Sequence, residues 1–430
     1  MASTYLLTDL PKIKEFWESV GSDSTSKKPE ITPGIAPHDA LYYDRLKEVW
    51  ADFCDTIGVN KSSTEERLSK SALILRREMV KKKYEVQDRS QVIETSSVNR
   101  GLQWLFTIPL GSQLSTYEKH LDYLSAALGG VDIEIESAGV GLGRMLARTV
   151  DPLEGSRDVA IYHSLTSETA VRMGRREDGQ DLYIDMADAG HTIIQGQTRS
   201  GKSVFLYGLL SQLAYVDCVK IWGIDPNHVL LGPFRGLTPQ IVLGTDPLAH
   251  LELLEEFVAR MDSRIASLVT EGIEKISDFT PESPVEVLVL EEYASIIRGA
   301  EIYDCTQKPA DRVGNKIKAL VARIFAEGAK AGMRVILVIQ RADASLVDGS
   351  TRANAVNRLT MGVDNGDAVR MLHPGASPEL IEAITHFKNG RLFASIQRED
   401  TIAQADYIDY QDYRRAVQLS ETAPAPIDYP

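Results

Sequence analysis

The stretch Gly196-Gln197-Thr198-Arg199-Ser200-Gly201-Lys202-Ser203 fixes most of what this chain can fold into. It satisfies G-x-x-x-x-G-K-[ST] at every fixed position. The apolar run Thr192-Ile193-Ile194 before it reads as a strand, and Val204 to Leu213 after it reads as an apolar helix. A strand, a glycine turn and a helix N-terminus bring backbone N–H groups and a positive dipole end to one point, which suits an anion. Gly196 through Val204 would then cradle a nucleoside triphosphate. Lys202 would reach its β- and γ-phosphates, and the Ser203 hydroxyl would bind Mg²⁺. The expected cofactors are therefore ATP and Mg²⁺. Arg199 stands where a small residue is usual, so it either bridges outward or touches nucleotide. The bare pattern also arises by chance in loops; correct flanks on both sides separate this instance from those.

Further apolar runs follow at intervals set by helices. Cys218 to Ile224 ends at Asp225-Pro226, Val285 to Leu290 ends at Glu291-Glu292, and Met333 to Ile339 ends at Gln340-Arg341. Leu359 to Val363 and Arg391 to Ile396 complete the strands. Between them, residues 247–271 carry Leu251, Leu254, Val258, Met261, Ile265 and Leu268 on one helical stripe, and Ile317 to Ala331 is a second helix. Arg298 to Val313 reads as a mobile loop. Apolar runs alternating with helices predict an α/β fold, a mainly parallel sheet covered by helices. Ligands of such sheets sit at the carboxyl ends of the strands, where the glycine loop, Asp225, Glu291-Glu292 and Gln340 all fall.

Those residues suit phosphoryl transfer, which needs phosphate donors, a metal ligand and a group that orients the attacking water. Glu291 would hold Mg²⁺ through a bound water, and Glu292 would polarise the nucleophilic water. Asp is the expected residue at 291, and the extra methylene of Glu suits an outer-sphere role better than direct ligation. Gln340 is either a γ-phosphate sensor or a polar strand end. An arginine from a neighbouring copy would stabilise transition-state charge, with Arg323, Arg352 and Arg358 as candidates.

Upstream, residues 1–40 read as a flexible arm containing Lys27-Lys28, and residues 41–96 read as helical. The second of those helices would start at Ser62-Ser63-Thr64-Glu65 and run into Arg76-Arg77 and Lys81-Lys82-Lys83. This basic cluster is either a solvated helix end or a phosphate-contacting patch. Residues 98–150 read as an α+β module: a strand over 101–110, a helix over 115–128 and a strand over 131–136. A hairpin turning at Asp178-Gly179 leads to the glycine loop. The expected domains are an arm at 1–40, an accessory helical and α+β domain at 41–155, a motor at 156–400 and an acidic tail at 401–430.

The net charge of −14 argues against a uniformly nucleic-acid-coating protein, but not against a few phosphate-gripping residues. Cys54, Cys218 and Cys305 suit reduced thiols in a cytoplasmic protein. No window approaches 18 consecutive apolar residues, so no membrane span is expected.

The ordered set of motifs resembles the FtsK/SpoIIIE family of ring-forming DNA-pumping ATPases over about residues 170–396. Gly190 to Ser203 is similar to its phosphate loop, Gly223-Ile224-Asp225-Pro226 to its second strand end, and Phe257 to Arg264 with Glu271 to Ile276 to its following helix. Ala331 to Arg341 and Ala353-Asn354 through Arg358 resemble its sensor strand and the loop beyond. Within the family the chain looks most like Tra-type translocases of actinobacterial conjugative elements, or phage relatives. The resemblance implies a RecA-like P-loop NTPase acting as a homo-hexamer that moves double-stranded DNA, in transfer of mobile DNA or in chromosome partitioning. No span anchors it, which leaves room for a membrane-associated partner, and the stretch beyond residue 396 is too short for the family's winged-helix DNA reader. Two other readings stand beside this one: a secretion-type ATPase of the same fold that moves protein, and an ATP-gated scaffold with little turnover.

Overall fold

Two cores of different hydrophobic period are laid down along the chain. The computed structural model describes residues 34–70, 79–98, 100–188, 190–238 and 240–424, and the chain divides into two compact units after Asp151. Lys27-Lys28 and Arg76-Arg77 lie outside the described residues.

In the first unit, α1 (Ala40–Thr56) is followed by strands β1 (Lys61–Lys70) and β2 (Met79–Asp88), paired antiparallel. The helical expectation for 41–96 therefore ends at Thr56. The missed signal is the even spacing of Val80, Tyr84 and Val86, a strand period. Lys81 to Lys83 accordingly lie on a strand. Next come β3 (Val92–Val98), β4 (Gly101–Thr107), α2 (Leu114–Glu118), α3 (Leu121–Ala127), β5 (Ile133–Gly139) and β6 (Leu142–Ala147). Strands β3-β4-β6-β5 form an antiparallel sheet. The single helix expected over 115–128 is broken at Lys119-His120. The Trp50, Phe106 and Tyr117 rings close this unit's core, with Phe106 centroids 5.0 Å from Trp50 and 4.9 Å from Tyr117.

The second unit begins with the hairpin β7 (Ala170–Arg176) and β8 (Asp181–Asp185), then β9 (His191–Gln195), α4 (Lys202–Leu213), β10 (Val219–Asp225), β11 (Ile241–Leu243) and α5 (Pro247–Glu271). It continues with β12 (Val285–Leu290), α6 (Tyr293–Asp304), α7 (Gly314–Glu327), β13 (Met333–Ile339), α8 (Gly349–Asn354) and β14 (Ala355–Met361). It ends with α9 (Gly366–Leu372), α10 (Pro378–Thr385), β15 (Arg391–Ile396), β16 (Glu399–Ala405) and α11 (Tyr410–Ser420). One 10-stranded sheet runs β11-β10-β12-β13-β9-β14-β15-β16-β7-β8. It is parallel from β11 to β14 and antiparallel from there to β8.

Alternation along each central strand feeds two layers. Val285, Val287, Val289, Ile336 and Val338 pack with α4 and α11 on one face. Leu288, Leu290, Val335, Leu337 and Ile339 pack with α5, α6 and α7 on the other. Each such side chain, fully buried, contributes roughly 1.5–3 kcal/mol. This is the expected α/β fold with a covered sheet.

Two expectations need correction. Arg298 to Asp304 is helix, because Ile296, Ile297 and Ala300 supply a buried face. The Asp304 carboxylate then accepts the N–H groups of Val313 at 2.7 Å and Gly314 at 2.9 Å, tying the turn to the start of α7. Nor do residues 401–420 trail off: β16 pairs with both β15 and β7. Buried Thr401, Ala403 and Ala405 alternate along it, too small to signal a strand from sequence.

Candidate nucleotide-binding site

Sheet register assembles the site. Ile224 pairs with Leu290, Leu290 with Leu337, and Ile339 with Gln195. The residues that come next, Asp225, Glu291, Gln340 and Gly196, therefore emerge along one edge of the sheet. Strand β9 sits between β13 and β14, so the glycine loop leaves from the middle of that edge.

The loop is held from two sides. Gln197 N–H donates to Gly362 O at 3.0 Å, and the Gly390 N–H donates to Ser200 O at 2.9 Å. Gly201 has φ +95°, and a Cβ there would lie 2.7 Å from Gly390 N, so only glycine fits. Arg199 takes φ +72° although it carries a side chain, and it is exposed at the mouth of the cleft. Ser203, at the start of α4, is also exposed there.

Lys202 is buried. Its ammonium donates to Ile339 O at 3.1 Å and lies 3.7 Å from Glu292 Oε2. Burial lowers its pKa, while Glu292 and Glu291 oppose that shift. Glu292 has φ +47° and ψ +59° at the N-terminus of α6, an uncommon backbone for a side chain of this size. Glu291 is pushed up to about 7 by burial first, and then by the charges of Asp225 and Glu292. Its Oε2 accepts from Asn227 Nδ2 at 3.1 Å. Buried Asp225 accepts the N–H groups of Asn227 and Leu231, each at 2.9 Å, so it folds the turn that aims Asn227 at Glu291.

A cleft of about 430 Å³ is lined by the loop from Gln197 to Val204, by Glu291 and Glu292, and by Gln340 and Asn389. The sequence-derived candidates thus meet in one place, except Arg323, Arg352 and Arg358. Arg323 is exposed on α7, where it pairs with Asp262 and Glu327. Arg358 spends its guanidinium on the carbonyls of Ala355, Leu372 and Arg352. Arg352 and Arg358 line a separate pocket of about 490 Å³, together with Arg370. Asn227, Gln195 and Asn389 were missed. The strand end at Asp225 was legible, but nothing in the sequence pointed two residues beyond it.

Among the described residues no cluster of three or more His, Cys, Asp or Glu side chains forms a metal cage. A hydroxyl at 203 and a carboxylate at 291 instead suit an ion that arrives with phosphates and keeps its waters, as Mg²⁺ does.

Residues 155–371 match the model of the FtsK/SpoIIIE family, half of the chain. The chain belongs to the FtsK/SpoIIIE family. The DNA translocase FtsK of Staphylococcus aureus is 23% identical over 339 residues, covering 70% of this chain and 41% of that protein. The DNA translocase FtsK of Halalkalibacterium halodurans is 25% identical over 302 residues, covering 63% of this chain and 36% of that protein. The chain thus spans well under half the length of these curated relatives. Among solved structures, the pCW3 conjugation coupling protein TcpA with ATPγS aligns at TM-score 0.51 and 16% identity, covering 89% of this chain and 99% of TcpA. EssC (ATPases 2 and 3) of Geobacillus thermodenitrificans also aligns at 0.51 and 16%, covering 64% of this chain and 54% of EssC. These two likenesses concern the fold alone. Among the described residues, no helix is long and apolar enough to cross a membrane.

Proposed function

We propose that the chain is an ATPase that translocates double-stranded DNA as a homo-hexameric ring in the cytoplasm, with residues 152–424 as the motor and the first unit as an accessory domain. One observation carries the catalytic part: Lys202 and Glu292 face each other at 3.7 Å across a cleft that Glu291 also lines. Lys202 is held by Glu292 and Ile339 O. On ATP binding, Lys202 turns to the β- and γ-phosphates, which frees Glu292 to accept a proton from the attacking water. Ser203, and Glu291 through a bound water, would hold Mg²⁺, which would supply Lewis-acid neutralisation of the phosphate charge. Beside such a cation Glu291 would be ionised, because a neighbouring positive charge favours the carboxylate. Gln340 stands at the γ-phosphate end as a sensor. Transition-state charge is met by an arginine of a neighbouring copy, for which Arg352 is freer than Arg323, paired with two carboxylates, or Arg358, bonded to three carbonyls.

Family membership and the named DNA translocases that resemble it support DNA as the substrate. The test is the ATPase rate with and without long duplex DNA. Wild type is expected to be stimulated by DNA. Lys202→Ala and Glu292→Gln should each lose turnover by about 10²-fold or more, with ATP binding retained in Glu292→Gln. A rate that DNA leaves unchanged and a partner protein raises would overturn the DNA reading.

A further inference from the structure

Gln195, the last residue of β9, is wholly buried directly before the phosphate loop. A polar side chain so placed persists only if every hydrogen-bonding atom is matched. Its Oε1 accepts from Ala342 N at 3.0 Å. Its Nε2 donates to Thr360 Oγ1 at 2.8 Å and to Ala368 O at 3.2 Å. One amide therefore ties together three pieces of chain: the loop after β13, strand β14 and helix α9.

Each piece leads somewhere functional. Ala342 lies two residues beyond Gln340, which lines the nucleotide cleft. Thr360 also contacts His373 Nε2 at 2.8 Å, just past the end of α9. Arg358, two positions before Thr360 on β14, donates to Leu372 O at 3.1 Å. Helix α9 is therefore fastened at Ala368 through Gln195 and at Leu372 through Arg358. It carries Arg370, which with Arg352 and Arg358 lines the separate pocket of about 490 Å³. A second tie runs parallel at the surface, where Arg341 Nη2 lies 2.9 and 3.0 Å from the two carboxylate oxygens of Asp364.

We propose that Gln195 is a positioning residue that transmits occupancy of the nucleotide cleft, through Ala342 on one side and Thr360 and Ala368 on the other, to the arginine-lined pocket beside α9. The inference rests on the ATPase reading above and adds the route by which the cleft sets the arginines. A side-chain amide suits this task because it both donates and accepts. A displacement of Ala342 cannot occur without loss of its bond or movement of the groups on Nε2. An apolar side chain of the same size would leave the two loops independent.

Hydrogen exchange on the full chain, with and without Mg-ATPγS, tests this. In wild type, nucleotide is expected to slow exchange at residues 340–345 and at 366–373, by about fivefold or more in each. Gln195→Met should keep the response at 340–345 and lose it at 366–373, and Gln195→Glu should keep the first and weaken the second. The carboxyl introduced by Gln195→Glu is nearly isosteric with the amide, but burial keeps it protonated and its single O–H can serve Thr360 or Ala368, not both. Both variants should also lower kcat by about tenfold while the nucleotide Kd stays within about twofold, a split that general destabilisation does not produce. If wild type binds ATPγS and protects 340–345 but leaves 366–373 unchanged, the coupling is wrong and the ATPase reading stands. Full retention of the response at 366–373 in either variant would likewise overturn the coupling alone. A wild type that does not bind ATPγS sinks both.

Discussion

Glu291 depends on a neighbour that has no charge to offer. Asn227 reaches its carboxylate at 3.1 Å and is itself aimed by the turn that buried Asp225 folds. A hydrogen bond to the ionised form lowers a carboxyl pKa, so Asn227 works against the burial that holds Glu291 up at about 7. Asn227→Ala should therefore raise the Mg²⁺ concentration for half-maximal ATPase by about tenfold, as loss of an outer-sphere partner does elsewhere. The melting temperature should barely move, since Asn227 is exposed. An unchanged Mg²⁺ requirement would remove Asn227 from the site. Sequence made Lys202, Glu291 and Glu292 legible because they sit at fixed offsets from a glycine pattern or a strand end. Asn227, Gln195 and Asn389 belong to no such motif: their roles come from contacts with residues distant in sequence. The arginines were legible as residue types only, since the carboxylates that occupy Arg323 and the carbonyls that occupy Arg358 are tertiary facts.

Helix α4 begins at Lys202 and is buried over most of its length, so whatever covers it steadies the phosphate loop. Helix α11 is part of that cover. Tyr413 stacks on Tyr207 with ring centroids 4.8 Å apart and planes 14° from parallel. The Tyr413 hydroxyl donates to Leu230 O, in the same turn that presents Asn227. Tyr413→Ala should cost about 3–5 kcal/mol of stability, through the cavity left beside α4. Tyr413→Phe should cost about 1–3 kcal/mol, because it leaves the buried Leu230 carbonyl unmatched. Denaturant midpoints of the two variants measure the difference: a Tyr413→Phe midpoint equal to wild type would deny the hydroxyl any role, and equal costs in the two variants would deny the ring one. Sequence missed this element for a physical reason. Its apolar face consists of Tyr413, Ala416 and Val417 in an otherwise charged helix, so its anchor is aromatic stacking and not a long apolar stripe. The central strands were legible for the converse reason: apolar residues at nearly every position, as in Val285 to Leu290, announce cover on both faces. Strands β1 and β2 were lost to a charged sequence whose only marker was even spacing.

For the molecule as a whole, a formal charge of −14 sets the terms on which the proposed translocase would meet DNA. The mean field repels a polyanion, so attraction must come from a limited number of cationic side chains near the phosphates. Such contacts release counterions, and affinity then falls with salt at a slope of about −0.9 per phosphate neutralised. Even two contacts predict a fall of about tenfold between 50 and 200 mM salt. The DNA concentration giving half-maximal stimulation of ATPase should thus rise by about tenfold or more over that range. The unstimulated rate should change far less, because Lys202 and Glu292 are shielded from bulk ions by their burial. Titrating duplex DNA against ATPase rate at the two salt concentrations separates these terms. If the half-maximal DNA concentration stayed flat, phosphate contact would not be what drives stimulation. The proposed grip on the duplex would then fail while the nucleotide chemistry at the sheet edge survived.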